Sequence, residues 1–363
     1  MTPDRPPRLY TTHHASADAQ IATLVSSFGD SLDRRLLTEM MVSVYRLGLD
    51  NSSTGDLKIL NAALKELRYA FKVFRPYRNI RKVALFGSSR LPRQHTAYRM
   101  AQEFGRLMVR ADWTVITGAA SGIMRAGHEG AGRMASFGLN IRLPFEQEAN
   151  PVIAGDTKLI TFKYFFTRKL MFIKESHATA LFPGGFGTLD EGFESLTLVQ
   201  TGKSDPRPII FVDTPRGKFW NPLMKFFRQQ LLKGGTISPA EASIYEVVRS
   251  AEEAAQRILA FYSVYQSLRY VGGQLVIRLH HSLPEDAPAQ LTAEFRDILS
   301  AGAIRQGRAL PEEADEPQIK DLPRLILKFN RQNFGRLVEF IHRINKLGAS
   351  TQGAGDKERG AGA

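Results

Sequence analysis

The feature that most constrains this chain is a change of rhythm at Arg81, where short apolar runs begin to alternate with helical stretches. Val83-Ala84-Leu85-Phe86 runs into Gly87-Ser88-Ser89, and Thr114-Val115-Ile116-Thr117 into Gly118-Ala119-Ala120-Ser121-Gly122. Asn140-Ile141-Arg142-Leu143 stops at Pro144, Ala178-Thr179-Ala180-Leu181-Phe182 at Pro183-Gly184-Gly185, and Pro208-Ile209-Ile210-Phe211-Val212 is a fifth run. Runs of about four to six residues separated by helices of about 10–15 predict βαβ units, hence an α/β fold around a parallel sheet. Such sheets bind ligands beyond the carboxyl ends of their strands. The Gly/Ser-rich turns fall at those ends.

This core, residues 80–264, reads as a Rossmann-like, doubly wound sheet with helices on both faces. Residues 1–17 are polar and unpatterned and are expected to be disordered, His13-His14 included. A helical extension follows over 18–79. One helix is expected from Asp18 to Leu47, with Ile21, Leu24, Val25, Phe28, Leu32, Leu36 and Met40 at helical spacing; a second runs from near Ser53 to Phe74 and ends before Pro76. Residues 265–347 read as a small α+β appendage. Its expected strands are Gln274–His280 and Leu322–Phe329, its helices Gln290–Leu299 and Phe334–Ile344; the Gly/Ala-rich stretch 348–363 is expected to be disordered.

Composition narrows the chemistry. Without cysteine, the chain can form no disulfide, thiolate metal site, Fe–S cluster or cysteine nucleophile. No metal ligands at helical spacing stand out, so neither metal nor cofactor is expected. No apolar run approaches the ~20 residues that span a bilayer, and no secretory leader is visible, so the reading is cytoplasmic with no membrane partner. The net charge of +13 raises the question of nucleic acid. The basic residues are dispersed, however, and no nucleic-acid-binding motif accompanies them, so nucleic acid is not expected as a partner.

The most informative string is Pro183-Gly184-Gly185-Phe186-Gly187-Thr188-Leu189-Asp190-Glu191, which follows a strand and opens a helix. Its glycines let the backbone approach a ligand, and the exposed N–H groups with the helix dipole attract an anion, a phosphate above all. The same letters also admit a purely structural reading, because Thr188-x-x-Glu191 has the form of a capping box. Upstream lies Lys163-Tyr164-Phe165-Phe166-Thr167-Arg168-Lys169. Its Arg-Lys pair is either a solvated basic face or a phosphate clamp at the same sheet edge.

Together the nonapeptide and the Arg168-Lys169 pair resemble the Lonely-guy family of cytokinin riboside 5′-monophosphate phosphoribohydrolases, also labelled lysine decarboxylase-like. The resemblance covers about residues 80–262. Leu143-Pro144-Phe145-Glu146-Gln147 and Ile160 to Phe166 look like the family's longer-chain branch. It implies hydrolysis of the N-glycosidic bond of a purine nucleoside 5′-monophosphate, AMP or an N6-modified AMP, to free base and ribose 5-phosphate. Arg168 and Glu191 match its catalytic pair. Gly184, Gly185, Gly187 and Thr188 match its phosphate-binding part, and Lys169 of the Arg-Lys pair is counted among the substrate-binding residues; Gly87, Ser88, Ser89, Gly118, Ser121, Gly122 and Met124 match the turns that shape its ribose and base pocket. The resemblance also implies at least a homodimer, with the pocket near the subunit contact.

The chain departs from the family pattern in the second turn, where Ala119 and Ala120 stand in place of glycines, and in Arg125 and His128 just after it. For these last two the choice is between surface residues and, for Arg125, a contact with the base. Three other functions compete. A pyridoxal-phosphate decarboxylase would need a Schiff-base lysine with a partner for the pyridine nitrogen, and no such motif appears. A dinucleotide-binding dehydrogenase would need G-x-G-x-x-G where the chain has Gly87-Ser88-Ser89-Arg90. A non-catalytic carrier of a nucleotide or of molybdenum cofactor would keep the fold and has no need of the Arg168/Glu191 pair.

Overall fold

The computed structural model describes residues 10–29, 33–144 and 148–359, with side chains to residue 349. Part of each expected tail and the Phe145-Glu146-Gln147 stretch lie outside the described residues. The chain divides into two compact units, Met1–Tyr69 and Ala70–Ala363.

The first unit holds α1 (Ala15–Ser26), α2 (Arg34–Leu49) and most of α3 (Thr54–Phe74). The single helix expected over Asp18–Leu47 is therefore two. Asp33 starts the second by accepting the Leu36 N–H at 3.1 Å, which satisfies one of the amide donors a helix start leaves open.

The second unit is built on seven parallel strands: β1 (Lys82–Phe86), β2 (Thr114–Thr117), β3 (Ser136–Ile141), β4 (Leu159–Phe162), β5 (Ala178–Leu181), β6 (Ile209–Val212) and β7 (Tyr245–Val248). Their order across the sheet is β4-β3-β2-β1-β5-β6-β7. The third expected strand, Asn140–Leu143, begins earlier, at Ser136, and β4 and β7 join at the two edges.

Helices α4 (Thr96–Arg110), α5 (Ile123–Ala131), α6 (Phe165–Glu175), α7 (Phe186–Gln200), α8 (Asn221–Phe226) and α9 (Ala251–Phe261) connect the strands. Side chains alternate across a strand. On β1, Val83 and Leu85 pack with Ala101 and Phe104 of α4, Ile123 of α5 and Ile258 of α9. Phe86 meets Phe172 of α6 with ring centroids 4.7 Å apart. Buried on both faces, the central strands carry the unbroken apolar runs that made them legible.

A four-stranded antiparallel sheet follows, with β8 (Tyr265–Val271), β9 (Gln274–Leu279), β10 (Leu299–Gly307) and β11 (Arg324–Phe329) in the order β10-β11-β9-β8. It is accompanied by α10 (Ala287–Glu294) and α11 (Phe334–Arg359). Here α10 ends at Glu294 and Leu299 already belongs to β10, while α11 continues past Ile344 into the Gly/Ala-rich segment. No helix among the described residues is long and apolar enough to cross a membrane.

The strand order fixes where a ligand can enter. The chain winds outward from β1 to β4, then returns to lay β5 on the other side of β1. At that reversal the turns after β1 and β5 leave in opposite directions, opening a crevice at the carboxyl edge. Phe182 N–H to Phe86 O at 2.9 Å and Ser88 N–H to Pro183 O at 3.0 Å hold the two turns side by side.

Candidate functional site

A cavity of about 690 Å³ opens at this reversal. It is lined by the turn after β1 (Gly87, Ser88, Ser89), that after β2 (Gly118, Ala120, Met124), the first turns of α7 (Gly185, Gly187, Thr188, Glu191) and Arg168 of α6. Four other residues singled out from the sequence do not line it. Ser121 is exposed, Gly122 and Gly184 lie in the turns behind the wall, and the Lys169 ammonium pairs with Asp190 at 2.9 Å and Glu194 at 2.7 Å.

The two glycines behind the wall set the turns. Gly122 stands at φ +62°, and a Cβ there would come within 2.2 Å of Ser88 O; its backbone lets Ile123 N–H reach that same carbonyl at 2.9 Å. A Cβ on Gly184 would fall 2.1 Å from Thr188 Oγ1, so only glycine leaves Thr188 room beneath the loop. By contrast, nothing lies within 4 Å of the Cβ positions of Gly185 and Gly187, so the space above them is open to a ligand. Gly185 is the N-cap of α7 and provides no side-chain cap. The capping box allowed by Thr188 and Glu191 is thus not formed: Thr188 sits inside the first turn, donating its N–H to Gly185 O at 3.0 Å. The amide donors at the start of α7 and the positive end of its dipole face the cavity.

Arg168 and Glu191 come together across this space. Arg168 lies in the first turn of α6, its guanidinium carbon 5.1 Å from the Phe165 ring and 5.7 Å from that of Phe172. The residues three before and four after it on the helix thus hold it on both sides. Its Nη2 stands 3.6 Å from Glu191 Oε1, close enough to attract and too far to hydrogen-bond. Glu191 is 2 % exposed, and neither carboxylate oxygen has a hydrogen-bond partner; Arg168 Nε has none either. Burial pushes the Glu191 carboxyl up to about 7, against the lowering pull of Lys169 and Arg168. A buried carboxyl titrating near neutrality, in a cavity wall and without hydrogen-bond partners, can hold or give a proton at working pH or face a developing cation.

The turn after β2 is supported from behind by His128 and by Asn150, the second of which the sequence did not single out. Ala119 is buried at φ +62°, in the left-handed region. Asn150 holds it there, giving its N–H at 2.8 Å and its Nδ2 at 3.0 Å to Ala119 O. His128 is fully buried rather than a surface residue: its ring nitrogens lie 3.0 Å from Thr117 Oγ1, 3.0 Å from Phe137 O and 3.2 Å from Asn150 Nδ2. Burial lowers its pKa to about 4, so the ring is neutral. Arg125 turns from the cavity to Glu129, at 2.9 Å. The base contact considered for it is replaced by an ion pair. Asn140 at the end of β3 and the rings of Phe86, Phe165 and Phe172 also line the cavity; only the aromatic cluster beside Arg168 gave a sequence signal for them.

Comparisons with known proteins bear on the family. Residues 117–258 match the family model described as "Possible lysine decarboxylase". The chain is 26% identical over 184 residues to the cytokinin riboside 5′-monophosphate phosphoribohydrolase LOG3 of Arabidopsis thaliana, covering 49% of this chain and 81% of that protein. It is equally 26% identical over 184 residues to the probable cytokinin riboside 5′-monophosphate phosphoribohydrolase LOGL2 of Oryza sativa subsp. japonica, covering 49% and 72%. Among solved structures, the molybdenum cofactor carrier protein of Chlamydomonas reinhardtii aligns at 16% identity and a TM-score of 0.34, covering 50% of this chain and 99% of that one.

Proposed function

We propose that the α/β core of this chain is of the Lonely-guy family and hydrolyses the N-glycosidic bond of a purine nucleoside 5′-monophosphate, AMP or an N6-modified AMP, to free base and ribose 5-phosphate. The observation that carries this reading is Glu191, buried without a hydrogen bond and facing the cavity beside Arg168. Breaking the bond between C1′ and the base nitrogen builds positive charge on the ribose ring. A carboxylate held ready in a low-dielectric wall stabilises that charge or takes the proton of the attacking water. Leaving Glu191 without hydrogen bonds keeps both oxygens free for the substrate.

The 5′-phosphate is assigned to the start of α7, where Gly185 and Gly187 leave open space over unsatisfied amides. Arg168 adds a charge that persists at any working pH. Phosphate held away from the reacting carbon can contribute binding energy to turnover as well as affinity. AMP should therefore be cleaved and adenosine left intact. The test is release of free base from AMP, GMP, IMP, CMP, UMP and N6-prenyl-AMP, with adenosine as control. Purine release confined to nucleotides supports the reading. Tight binding of a nucleotide without release by the intact chain would instead favour a carrier, a reading to which the Ala120 methyl in the cavity wall lends weight.

The functional unit is proposed to be a homodimer. Phe165 and Phe186 are exposed at the cavity mouth, Phe186 at 92 %, and Phe166, Leu170 and Phe193 are exposed elsewhere on the same two helices, α6 and α7, apolar surface suited to a second copy of this chain. Light scattering of the purified chain should give twice the monomer mass, and a Phe186→Asp/Phe193→Asp variant should shift it to the monomer.

A further inference from the structure

A second cavity, of about 390 Å³, lies at the opposite edge of the parallel sheet, where β1, β5 and β6 begin and the antiparallel sheet meets them. Arg81 precedes β1, His177 precedes β5, Lys203 and Arg207 lead into β6, and Tyr265 and Gln266 of β8 close the far wall. The reaction proposed above uses none of these residues.

Arg207 is 8 % exposed, yet its guanidinium bonds only neutral oxygens: Ser176 O at 2.9 Å, Ser176 Oγ at 3.0 Å and Ser204 Oγ at 3.1 Å. The Arg81 guanidinium lies 3.8 Å over the Tyr262 ring and donates from Nη2 to Gln266 O at 3.0 Å. Among the described residues neither forms an ion pair with a carboxylate, and neither does Lys203. The carboxylate on the cavity wall is that of Asp205, and Lys174, also on the wall, is neutralised by Glu175 at 2.6 Å. The Asp205 carboxylate acts on Arg207, but three cations, Arg81, Lys203 and Arg207, face that one carboxylate, so the cavity keeps a positive potential suited to an anion. His177 reports that field. Burial first, then Arg81, Lys82 and Arg207, drive its pKa down to about 3. Its Nδ1 accepts the Lys82 N–H at 3.1 Å, so the neutral ring carries its proton on Nε2, as a donor.

We propose that this cavity is a second ligand site, one that takes a small phosphorylated metabolite, its phosphoryl oxygens meeting Arg81, Arg207 and Lys203. Guanidinium groups match phosphate bidentately, and Arg207, fixed by Ser176 and Ser204, is oriented before any ligand arrives. The site joins the two sheets, which gives the carboxyl-terminal segment a role in binding. It also lies against α6, whose Leu170, Ile173 and Lys174 face this cavity while Phe165, Arg168 and Phe172 of the same helix face the first.

The experiment is calorimetric titration of the full chain with sodium triphosphate at low salt. Arg168→Ala removes a cation from the first cavity, and Lys203→Glu reverses an exposed charge at the second without disturbing the core. Lys233→Glu, an exposed reversal elsewhere, controls for net charge. Arg168→Ala, whose first cavity has lost its cation, should still show a saturable site with a Kd of about 1 mM or tighter, and Lys203→Glu added to Arg168→Ala should weaken that site by about tenfold or more. Arg81→Gln, which keeps an amide donor for Gln266 O, should weaken it likewise. Three results overturn the proposal: no saturable binding to wild type, equal weakening when Lys203→Glu and Lys233→Glu are each added to Arg168→Ala, or binding lost in Arg168→Ala and intact in Lys203→Glu. Because the readout is binding of an inorganic probe, it stands or falls separately from the hydrolase reading.

Discussion

Two buried Arg–Glu clusters in this chain have the same chemical components and opposite character. In the antiparallel sheet, Glu313 is 3 % exposed and fully engaged: it accepts from Arg278 Nε at 2.9 Å, Arg324 Nε at 3.2 Å and Leu310 N–H at 3.0 Å. Burial works to raise its pKa, but the bonds from Leu310, Arg324 and Arg278 outweigh it and leave the carboxyl below its ordinary value. In the first cavity Glu191 is as deeply buried, has no hydrogen bond, faces its arginine at 3.6 Å and rises to about 7. Hydrogen bonds to the charged form, rather than burial or the presence of an arginine, separate the two. A cluster that completes itself stabilises the fold. One that stays incomplete has capacity left for a substrate.

The sharpest way to break this comparison is to remove each carboxylate in turn. Glu313→Ala leaves Arg324, which is 0 % exposed, with only the carbonyls of Leu322 and Ile319, and leaves Arg278 to Glu316. Losing one partner of a buried pair costs about 3–5 kcal/mol, so urea denaturation should show a loss of that order. Glu191→Gln should act the other way. Activity on AMP should fall by about 10²-fold or more, while stability at neutral pH holds or rises. Normal turnover by Glu191→Gln would leave the catalytic assignment without support, and unchanged stability in Glu313→Ala would remove the contrast.

The pH dependence of stability sharpens the same point. Glu191 titrates near 4.5 unfolded and about 7 folded. Between these values the folded chain holds a proton that the unfolded chain lacks, so its contribution is complete below about 4.5 and is lost as pH rises to 7. His128, at about 4 folded against 6.5 unfolded, has the opposite sign: its contribution is present above 6.5 and lost as pH falls toward 4. The two oppose each other between 4.5 and 6.5, so wild type alone will not separate them. The difference between wild type and Glu191→Gln should: the variant should gain roughly 1–3 kcal/mol relative to wild type between pH 4.5 and 8. A pH-independent difference would mean that Glu191 is not raised.

The parts of this molecule legible in the sequence are those with a periodic or backbone-geometric signature. Val83–Phe86, Thr114–Thr117, Ala178–Phe182 and Pro208–Val212 stood out because central parallel strands are buried on both faces. β4 and β7 lie at the sheet edges, where exposed Thr161 and half-buried Glu246 break the apolar run. The Gly184–Glu191 string was readable as an anion-binding turn, but its letters could not exclude a capping box; only the position of Gly185 as N-cap separates the two. The Thr117–His128–Asn150 network was not legible at all. Its members sit on a strand, a helix and a loop, and their hydrogen bonds leave no trace in hydrophobic spacing.

That network sets up the smallest of the expected effects. Ala119 at φ +62° occupies a region where a Cβ costs roughly 1–2 kcal/mol, and Asn150, itself positioned by His128, holds it there through Ala119 O. Ala119→Gly relieves that strain but loosens the unfolded chain by about 0.4–1 kcal/mol, so the net gain should lie between roughly 0 and 1.6 kcal/mol, a small rise in Tm. Ala119 lies behind the wall, whereas Ala120 lines the cavity. The glycine at 119 should therefore leave the ratio of purine to pyrimidine release unchanged, and Ala120→Gly should alter it. If Ala119→Gly instead lowers stability by about 1 kcal/mol or more, the buried methyl packs well enough to outweigh its strain. If it shifts base preference as strongly as Ala120→Gly, the two alanines act as one element of the pocket.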